Sequence, residues 1–207
     1  GDEGTTLMLA ALCAVLAAKG AKRDARGGRI GALIAAWYAA TAVWLAPFAA
    51  TPGAWLAAAP SQGMNAHLMK VWMLLHAPLV LAAYAWSLFV AVPAFAALRG
   101  ALPLWPADAR AHARRAWVVL TAGIGFGMLW AFEDAMYGQL WHWDPVQTAV
   151  FAVWCFLSAH LHGVAAWRPG QATWRWVPLT GILAAAATAG AMAVTRSPGL
   201  ASSHRYV

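Results

Sequence analysis

The sequence of 207 residues contains little charge. Lys, Arg, Asp and Glu together make up 10% of it, 62% is hydrophobic, and the mean hydropathy is +0.60. A soluble domain of this size needs more polar side chains than this to cover its surface. The composition therefore excludes a soluble globule and indicates a protein of the lipid bilayer.

Cysteine is also scarce. Cys13 and Cys155 both lie in hydrophobic stretches, and the sequence contains neither a CxxC nor a CxxCH pattern. This excludes a dithiol relay and a covalently attached haem. The sequence also lacks a glycine-rich phosphate loop, an internal repeat and a nucleophile paired with a base. We therefore expect no acid–base catalysis.

Long hydrophobic stretches take the place of these features. A membrane-spanning helix needs about 20 mostly apolar residues. Five stretches are predicted to span the membrane, namely residues 30–48, 71–98, 116–130, 146–167 and 176–194. A shorter first stretch, residues 5–18, is also predicted to span. The sequence therefore predicts an all-α polytopic bundle of about six transmembrane helices in one membrane domain, residues 1–207.

Basic residues are concentrated on one side of these predicted spans. Eleven of the fourteen lie in residues 19–29, 99–115 and 168–175. Short cytoplasmic loops carry an excess of Lys and Arg, so these loops are predicted to be inside. This topology accounts for the net charge of +7, and no pattern for nucleic acid binding is present. The segments predicted to share the outer face are residues 49–70, 131–145 and 195–207.

The predicted outer face contains residues 138–144, which we call the tryptophan loop. Indole rings at a membrane surface offer flat apolar faces to a planar cofactor, for which haem is the obvious candidate. Asp144 followed by Pro145 is also typical of a helix N-cap, so Asp144 is expected to start a helix in any case. Other tryptophans are interpreted as an interfacial belt, namely Trp37, Trp44, Trp72, Trp86, Trp105, Trp117, Trp167, Trp174 and Trp176.

Two histidines are predicted to approach the tryptophan loop from the outer side. His76 lies roughly 9 Å into its helix, at 1.5 Å per residue, and His204 follows the last span. A lone histidine in an apolar helix is more often structural than a ligand. The pair beside the loop favours bis-imidazole ligation of a non-covalently bound haem b. His142, within the loop, could stack or hydrogen-bond near such a cofactor.

The remaining histidines fall elsewhere. His162 lies roughly 24 Å along its helix from the loop, so it cannot ligate the same iron. It predicts either a second haem, with a further ligand from a partner subunit, or no second site. His160 faces another side of the helix, so the two cannot flank one iron, and one of them could simply bond a carbonyl. His67 and His112 are predicted to be solvated in loops.

The stretch W-A-x(6)-G-x-x-W-x-W-D-P-V-x-x-A resembles the WWD signature of the haem-handling proteins. This family includes the CcmF, CcsA, CcmC and NrfE types of cytochrome c biogenesis protein. The segments around His76 and His204 are similar to the family's two outer histidine segments, and the resemblance runs from about residue 68 onwards. The residues that match the signature are Trp130, Ala131, Gly138, Trp141, Trp143, Asp144, Pro145, Val146, Ala149, Trp154, Leu161 and His162.

The resemblance implies N-terminal helices in residues 1–66 and a haem-handling core in residues 67–207, in a bacterial inner membrane with the loop on the periplasmic face. Family members present haem to apocytochrome c or pass it to a chaperone. The implied partners are other membrane subunits, apocytochrome c or c-type cytochromes, and lipid. Any enzymatic activity would be that of a cytochrome c haem lyase component. The implied haem-site residues are His76 and His204 as axial ligands, Trp130, Gly138, Trp141, Trp143 and Asp144 around the haem, and His162 for a second haem.

The length of the sequence leaves more than one function open, because the CcmF and CcsA types are longer. The remainder could lie on another polypeptide or be missing from this sequence, or the core could serve another purpose. One such purpose is a bis-histidine haem subunit of a respiratory complex, which exchanges electrons between quinone and outer cytochromes. A transporter without a cofactor would make the histidines and tryptophans coincidental.

Overall fold

The computed structural model is a bundle of α-helices. It describes residues 2–23, 25–50, 53–58, 69–100, 105–133, 138–168, 175–197, 199–200, 202 and 204, and these residues contain no β-strand. The helices are α1 (Asp2–Ala21), α2 (Ala25–Trp44), α3 (Gly53–Ala58), α4 (Val71–Leu98), α5 (Trp105–Glu133), α6 (Pro145–Ala166) and α7 (Trp176–Arg196).

Five helices are long and apolar enough to cross a membrane, namely α1, α4, α5, α6 and α7. The predicted polytopic membrane bundle is therefore confirmed. α1 is longer than the predicted residues 5–18, and its 20 residues reach a full span. α2 begins before the predicted residue 30 and includes Arg26 and Arg29. α2 is not among the candidate spans that the described residues contain.

Two segments that were predicted as loops contain helix. α5 begins at Trp105 rather than residue 116, because the alanine and arginine residues there are strong helix formers and Asp108 favours the first turn. His112 thus lies in a helix, where its ring is 6.2 Å from that of Phe89, and the prediction of a solvated loop was wrong. The short α3 lies within the predicted loop 49–70. His67 falls outside the described residues.

α4 lies in the middle of the bundle and packs against α1, α2, α5 and α7. Many of its buried residues are small, such as Ala83, Ala85 and Ala94, and small side chains allow helices to approach closely in lipid. A buried hydrogen bond from Thr188 Oγ1 to Ser87 Oγ, 2.8 Å long, joins α7 to α4. This packing fixes the position of α4 and of the histidine near its start.

The tryptophans divide between surface and interior. Trp37, Trp44 and Trp176 are exposed, as the belt interpretation predicts. Trp105 is only 4% exposed and packs edge-on against Trp167, with ring centroids 5.5 Å apart, so the belt interpretation was wrong for Trp105. Trp174 lies outside the described residues.

Candidate functional site

A cavity of about 600 Å³ opens at the end of the bundle next to the tryptophan loop. Its volume lies within the range of about 300–1,000 Å³ that is usual for ligand pockets. Residues near the starts of α1, α4 and α6 and near the ends of α5 and α7 surround it. The lining side chains described below are those of His76, Trp130, Trp141, Arg196 and His204.

His76 is held in place by α5. Its imidazole stacks on the indole of Trp130, with ring centroids 6.3 Å apart and planes inclined by 22°. Its Nδ1 lies 2.8 Å from the carbonyl oxygen of Gly123. A carbonyl can only accept, so Nδ1 donates the hydrogen bond and the Nε2 of the neutral ring carries the lone pair.

Alternating glycines in α5 make room for this histidine. A Cβ atom on Gly127 would lie 2.7 Å from Nδ1 and Cε1 of His76, and one on Gly123 would lie 3.0 Å from Val80. Both glycines therefore let α4 approach the backbone of α5. The G-x-G-x-G spacing of Gly123, Gly125 and Gly127 is visible in the sequence, but this role of the glycines was not predicted from it.

His204 is held by the tryptophan loop. Its Nδ1 lies 2.9 Å from Oδ2 of Asp144, which also accepts a hydrogen bond of 3.1 Å from Ser202 Oγ. The imidazole meets the indole of Trp130 at an angle of 64°, with ring centroids 5.8 Å apart. Trp130 thus contacts both histidines. The structure brings together the two residues that the sequence predicted as a pair.

Asp144 has a second contact, with α6. Its Oδ1 accepts a hydrogen bond of 2.8 Å from the backbone N–H of Gln147, and Pro145 occupies the first helical position. The predicted N-cap is therefore confirmed. The contact of Oδ2 with His204 was not predicted, because the sequence pattern indicates a partner for only one of the two carboxylate oxygens.

The rest of the tryptophan loop reaches the cavity only in part. Trp141 lines the cavity and packs edge-on against Trp143, with ring centroids 5.5 Å apart. Gly138 has a φ of 57°, a conformation that glycine adopts without a Cβ clash. Trp143 is 68% exposed and His142 is also exposed. Gly138, His142 and Trp143 are not among the described residues that line the cavity.

The two histidines near the far end of α6 have different surroundings. His160 is fully buried, and its Nδ1 lies 3.0 Å from both the carbonyl oxygen of Val177 and Oγ1 of Thr180. It links α6 to α7, as the carbonyl-bonding interpretation predicted. His162 is exposed on another side of α6. Neither lines the cavity, so a second haem at His162 stays a prediction.

The donor chemistry of the cavity fits a haem. In both His76 and His204 an oxygen atom accepts from Nδ1, which is the arrangement that orients metal-binding histidines through their other nitrogen. The surrounding wall is mostly apolar or aromatic, and Arg196 offers a cation for carboxylates. Within the described part of the chain, no group of three or more His, Cys, Asp or Glu side chains could hold a bare metal ion.

The fold and the site together define a polytopic membrane protein with a cavity lined by histidine and tryptophan at one end of its bundle. The chain belongs to the cytochrome c assembly protein family, whose sequence profile matches residues 5–186. This match includes the N-terminal helices, upstream of the residue 68 at which the resemblance was expected to begin. The resemblance to cytochrome c biogenesis proteins is thereby confirmed.

Individual relatives agree with the family match. The chain is 29% identical to the cytochrome c-type biogenesis protein CycK of Rhizobium meliloti, over 84% of this chain and 26% of CycK. It is 30% identical to CcmF of Pseudomonas fluorescens, over 71% of this chain and 23% of CcmF. It is 29% identical to NrfE of Haemophilus influenzae, over 72% of this chain and 24% of NrfE. The chain thus spans about a quarter of the length of these relatives. No solved structure matches it.

Proposed function

We propose that this chain binds haem b non-covalently in the cavity and presents it for attachment to apocytochrome c. Its family supports a role in cytochrome c maturation. The observation that carries the haem proposal is the convergence of His76 and His204 on one cavity, each with Nδ1 bonded to an oxygen. The proposed setting is a bacterial inner membrane, with the cavity on the periplasmic side and other membrane subunits as partners.

Each residue of the cavity would have its own role in holding the cofactor. His76 and His204 would bind the iron through Nε2, and Trp130 and Trp141 would keep water from the macrocycle. Arg196 is fixed by a hydrogen bond of 3.2 Å to the carbonyl oxygen of Met192, with its guanidinium at the cavity wall. Bound haem supplies the vinyl groups and the redox-active iron, and the chain positions them.

The first prediction concerns the two ligands. His76→Ala and His204→Ala should each abolish the low-spin bis-histidine haem spectrum, because one axial nitrogen is lost. Absorption spectroscopy of each purified variant after haem addition measures this. His142→Ala is the matched control, since that imidazole is exposed and does not line the cavity. Low-spin spectra that match the unaltered chain in both ligand variants would contradict the assignment.

A second candidate function is electron transfer. Two histidine ligands fill both axial positions of an iron, and such a saturated iron suits electron exchange between quinone and outer cytochromes. Haem content after purification from native membranes separates the two functions. Labile, substoichiometric haem with thiol-reducing or haem-lyase partners supports maturation. Stable, near-stoichiometric haem in an assembly with multihaem cytochromes supports electron transfer.

A further inference from the structure

Two tryptophans join α5 to α6 through a closed ring of hydrogen bonds. Nε1 of Trp117 donates to Oγ of Ser158 at 2.8 Å, and Nε1 of Trp154 donates to Oγ1 of Thr121 at 2.9 Å. Ser158 Oγ donates in turn to the carbonyl oxygen of Trp154 at 2.8 Å, and Thr121 Oγ1 to that of Trp117 at 2.7 Å. Each hydroxyl therefore accepts one bond and donates another. We call these four residues the α5–α6 clamp.

The clamp fixes the register of α5 against α6. Its two indoles lie next to each other, with ring centroids 5.5 Å apart, and residues four apart share a helix face. A shift of one helix along the other would break both indole bonds at once. The clamp lies near the middle of α5, and the interior of a bilayer has no water to replace lost bonds. Sliding or rotation of α6 on α5 is therefore costly.

The clamp lies where the two helices begin to separate. Toward the tryptophan loop, a second cavity, of about 500 Å³, lies between them, and Thr121 and Trp154 are among its lining residues. On the other side of the clamp, NH2 of Arg110 donates to the carbonyl oxygen of Val164 at 3.2 Å. Of these bonds between α5 and α6, the one between Trp154 and Thr121 is nearest to the candidate site.

The two helices hold opposite halves of the candidate site. The carbonyl of Gly123 on α5, within one turn of the clamp, accepts from His76. Asp144, at the start of α6, accepts from His204. Ten residues, or roughly 15 Å of helix, separate Asp144 from Trp154. Any change in how α6 lies on α5 would therefore move one half of the site relative to the other.

We propose that the α5–α6 clamp positions Asp144, and through it His204, at the separation from His76 that one iron requires. This proposal rests on the proposed function. The four clamp residues are not among the described residues that line the cavity with the two histidines. They are therefore positioning residues, which act through Asp144. Trp154, which matches the signature but lies outside the candidate site, gains a role in this way.

Thr121→Val tests the clamp, because Val is close to Thr in shape but leaves Nε1 of Trp154 without its acceptor. Thr121→Ser keeps the hydroxyl. Thr41→Val is the matched control, since Thr41 also follows a tryptophan by four residues and its Oγ1 donates to the carbonyl oxygen of Trp37 at 2.9 Å within α2. Haem titration and absorption spectroscopy of each purified full chain measure the haem affinity and the low-spin fraction.

We expect Thr121→Val to weaken haem binding, by up to the roughly 10–100-fold that loss of a ligand's outer partner causes. The high-spin fraction should rise, because His204 is displaced from the iron. Thr121→Ser and Thr41→Val should match the unaltered chain. In an Asp144→Asn chain, Thr121→Val should cause no further loss of affinity, because His204 has already lost its partner.

An equal loss of affinity from Thr121→Val in the unaltered and Asp144→Asn chains would indicate a general effect on the bundle and would overturn the proposal. So would equal affinities and spectra of Thr121→Val and the unaltered chain. Ser158→Ala tests the other half of the clamp in the same way if Thr121→Val fails to fold. An unaltered chain that takes up no low-spin haem would contradict the proposed function itself, and the proposed role of the clamp with it.

Discussion

At the scale of single residues, Asp144 joins two parts of the chain that are far apart in sequence. Oδ1 bonds the backbone at the start of α6, and Oδ2 bonds His204, sixty positions later. The sequence could predict the first contact, since an aspartate before a proline and an apolar stretch is a local pattern. The second contact depends on how α7 packs, which no local pattern contains.

The two contacts can be separated by substitution. Asn caps helices as well as Asp does, so Asp144→Asn should keep α6 stable. The single amide oxygen then stays on the N–H of Gln147, so the NH₂ group faces His204 and cannot accept from Nδ1. Loss of such a partner typically costs about 10–100-fold in metal affinity. We therefore expect weaker haem binding with little change in thermal stability, as measured by haem titration and thermal denaturation.

Asp144→Ala is the companion variant. It removes the cap as well and should lower the free energy of unfolding by about 0.5–2 kcal/mol. Haem affinities of both variants equal to that of the unaltered chain would show that the contact between Asp144 and His204 has no part in binding.

At the scale of elements, α5 shapes the site through its backbone. The carbonyl of Gly123 accepts from His76, and Gly127 leaves space for the same imidazole. Gly125, two positions from each, borders instead a separate cavity between α5 and α6. Alternating glycines thus adapt one helix to a histidine on one side and to a cavity on the other.

Gly127→Ala should damage the proposed haem site. Its Cβ would lie 2.7 Å from the imidazole of His76, closer than real contacts allow, so the ring must move away from its position. Alanine favours a helix over glycine, so the change should not weaken α5 itself. The expected result is loss of the low-spin haem spectrum. Gly125→Ala meets open space and should behave like the unaltered chain. Equal spectra for both variants would contradict the role of Gly127.

Hydropathy predicted most elements and missed their less apolar parts. The apolar stretches at α4, α6 and α7 were located to within a few residues. The start of α5 at Trp105 was missed because its arginines resemble loop charges, although they lie in an alanine-rich helix. The pairing of His76 with His204 was predicted, because the basic loops place both segments on the same outer side of the membrane. The contacts of His76 with Gly123 and Trp130 arise from packing between helices, whereas the contact of Ser202 with His204 is local to the segment after α7.

At the scale of the whole molecule, the ends of five candidate spans meet around one cavity. The basic segments lie between the opposite ends of these helices, so the charge pattern predicts the side that faces the cytoplasm. The proposed periplasmic location of the cavity therefore depends on the orientation of the whole bundle.

Cysteine labelling in intact cells tests this orientation. In a Cys155→Ala background, Gly199→Cys should react with a membrane-impermeant maleimide, because Gly199 is exposed near the cavity end. Arg23→Cys should react only after the cells are broken, although the Arg23 side chain is 75% exposed. Cys13 is buried and should contribute little background. The opposite labelling pattern would place the cavity in the cytoplasm.

The position of His204 after α7 also sets an order of events during synthesis. The ribosome makes His76 first, then the tryptophan loop, and His204 only after the sequence of α7. Until α7 has inserted and the following segment has reached Asp144, the cavity has only one of its two imidazoles. The proposed loading of haem would therefore follow membrane insertion, when the bundle has closed around the later of its two imidazoles.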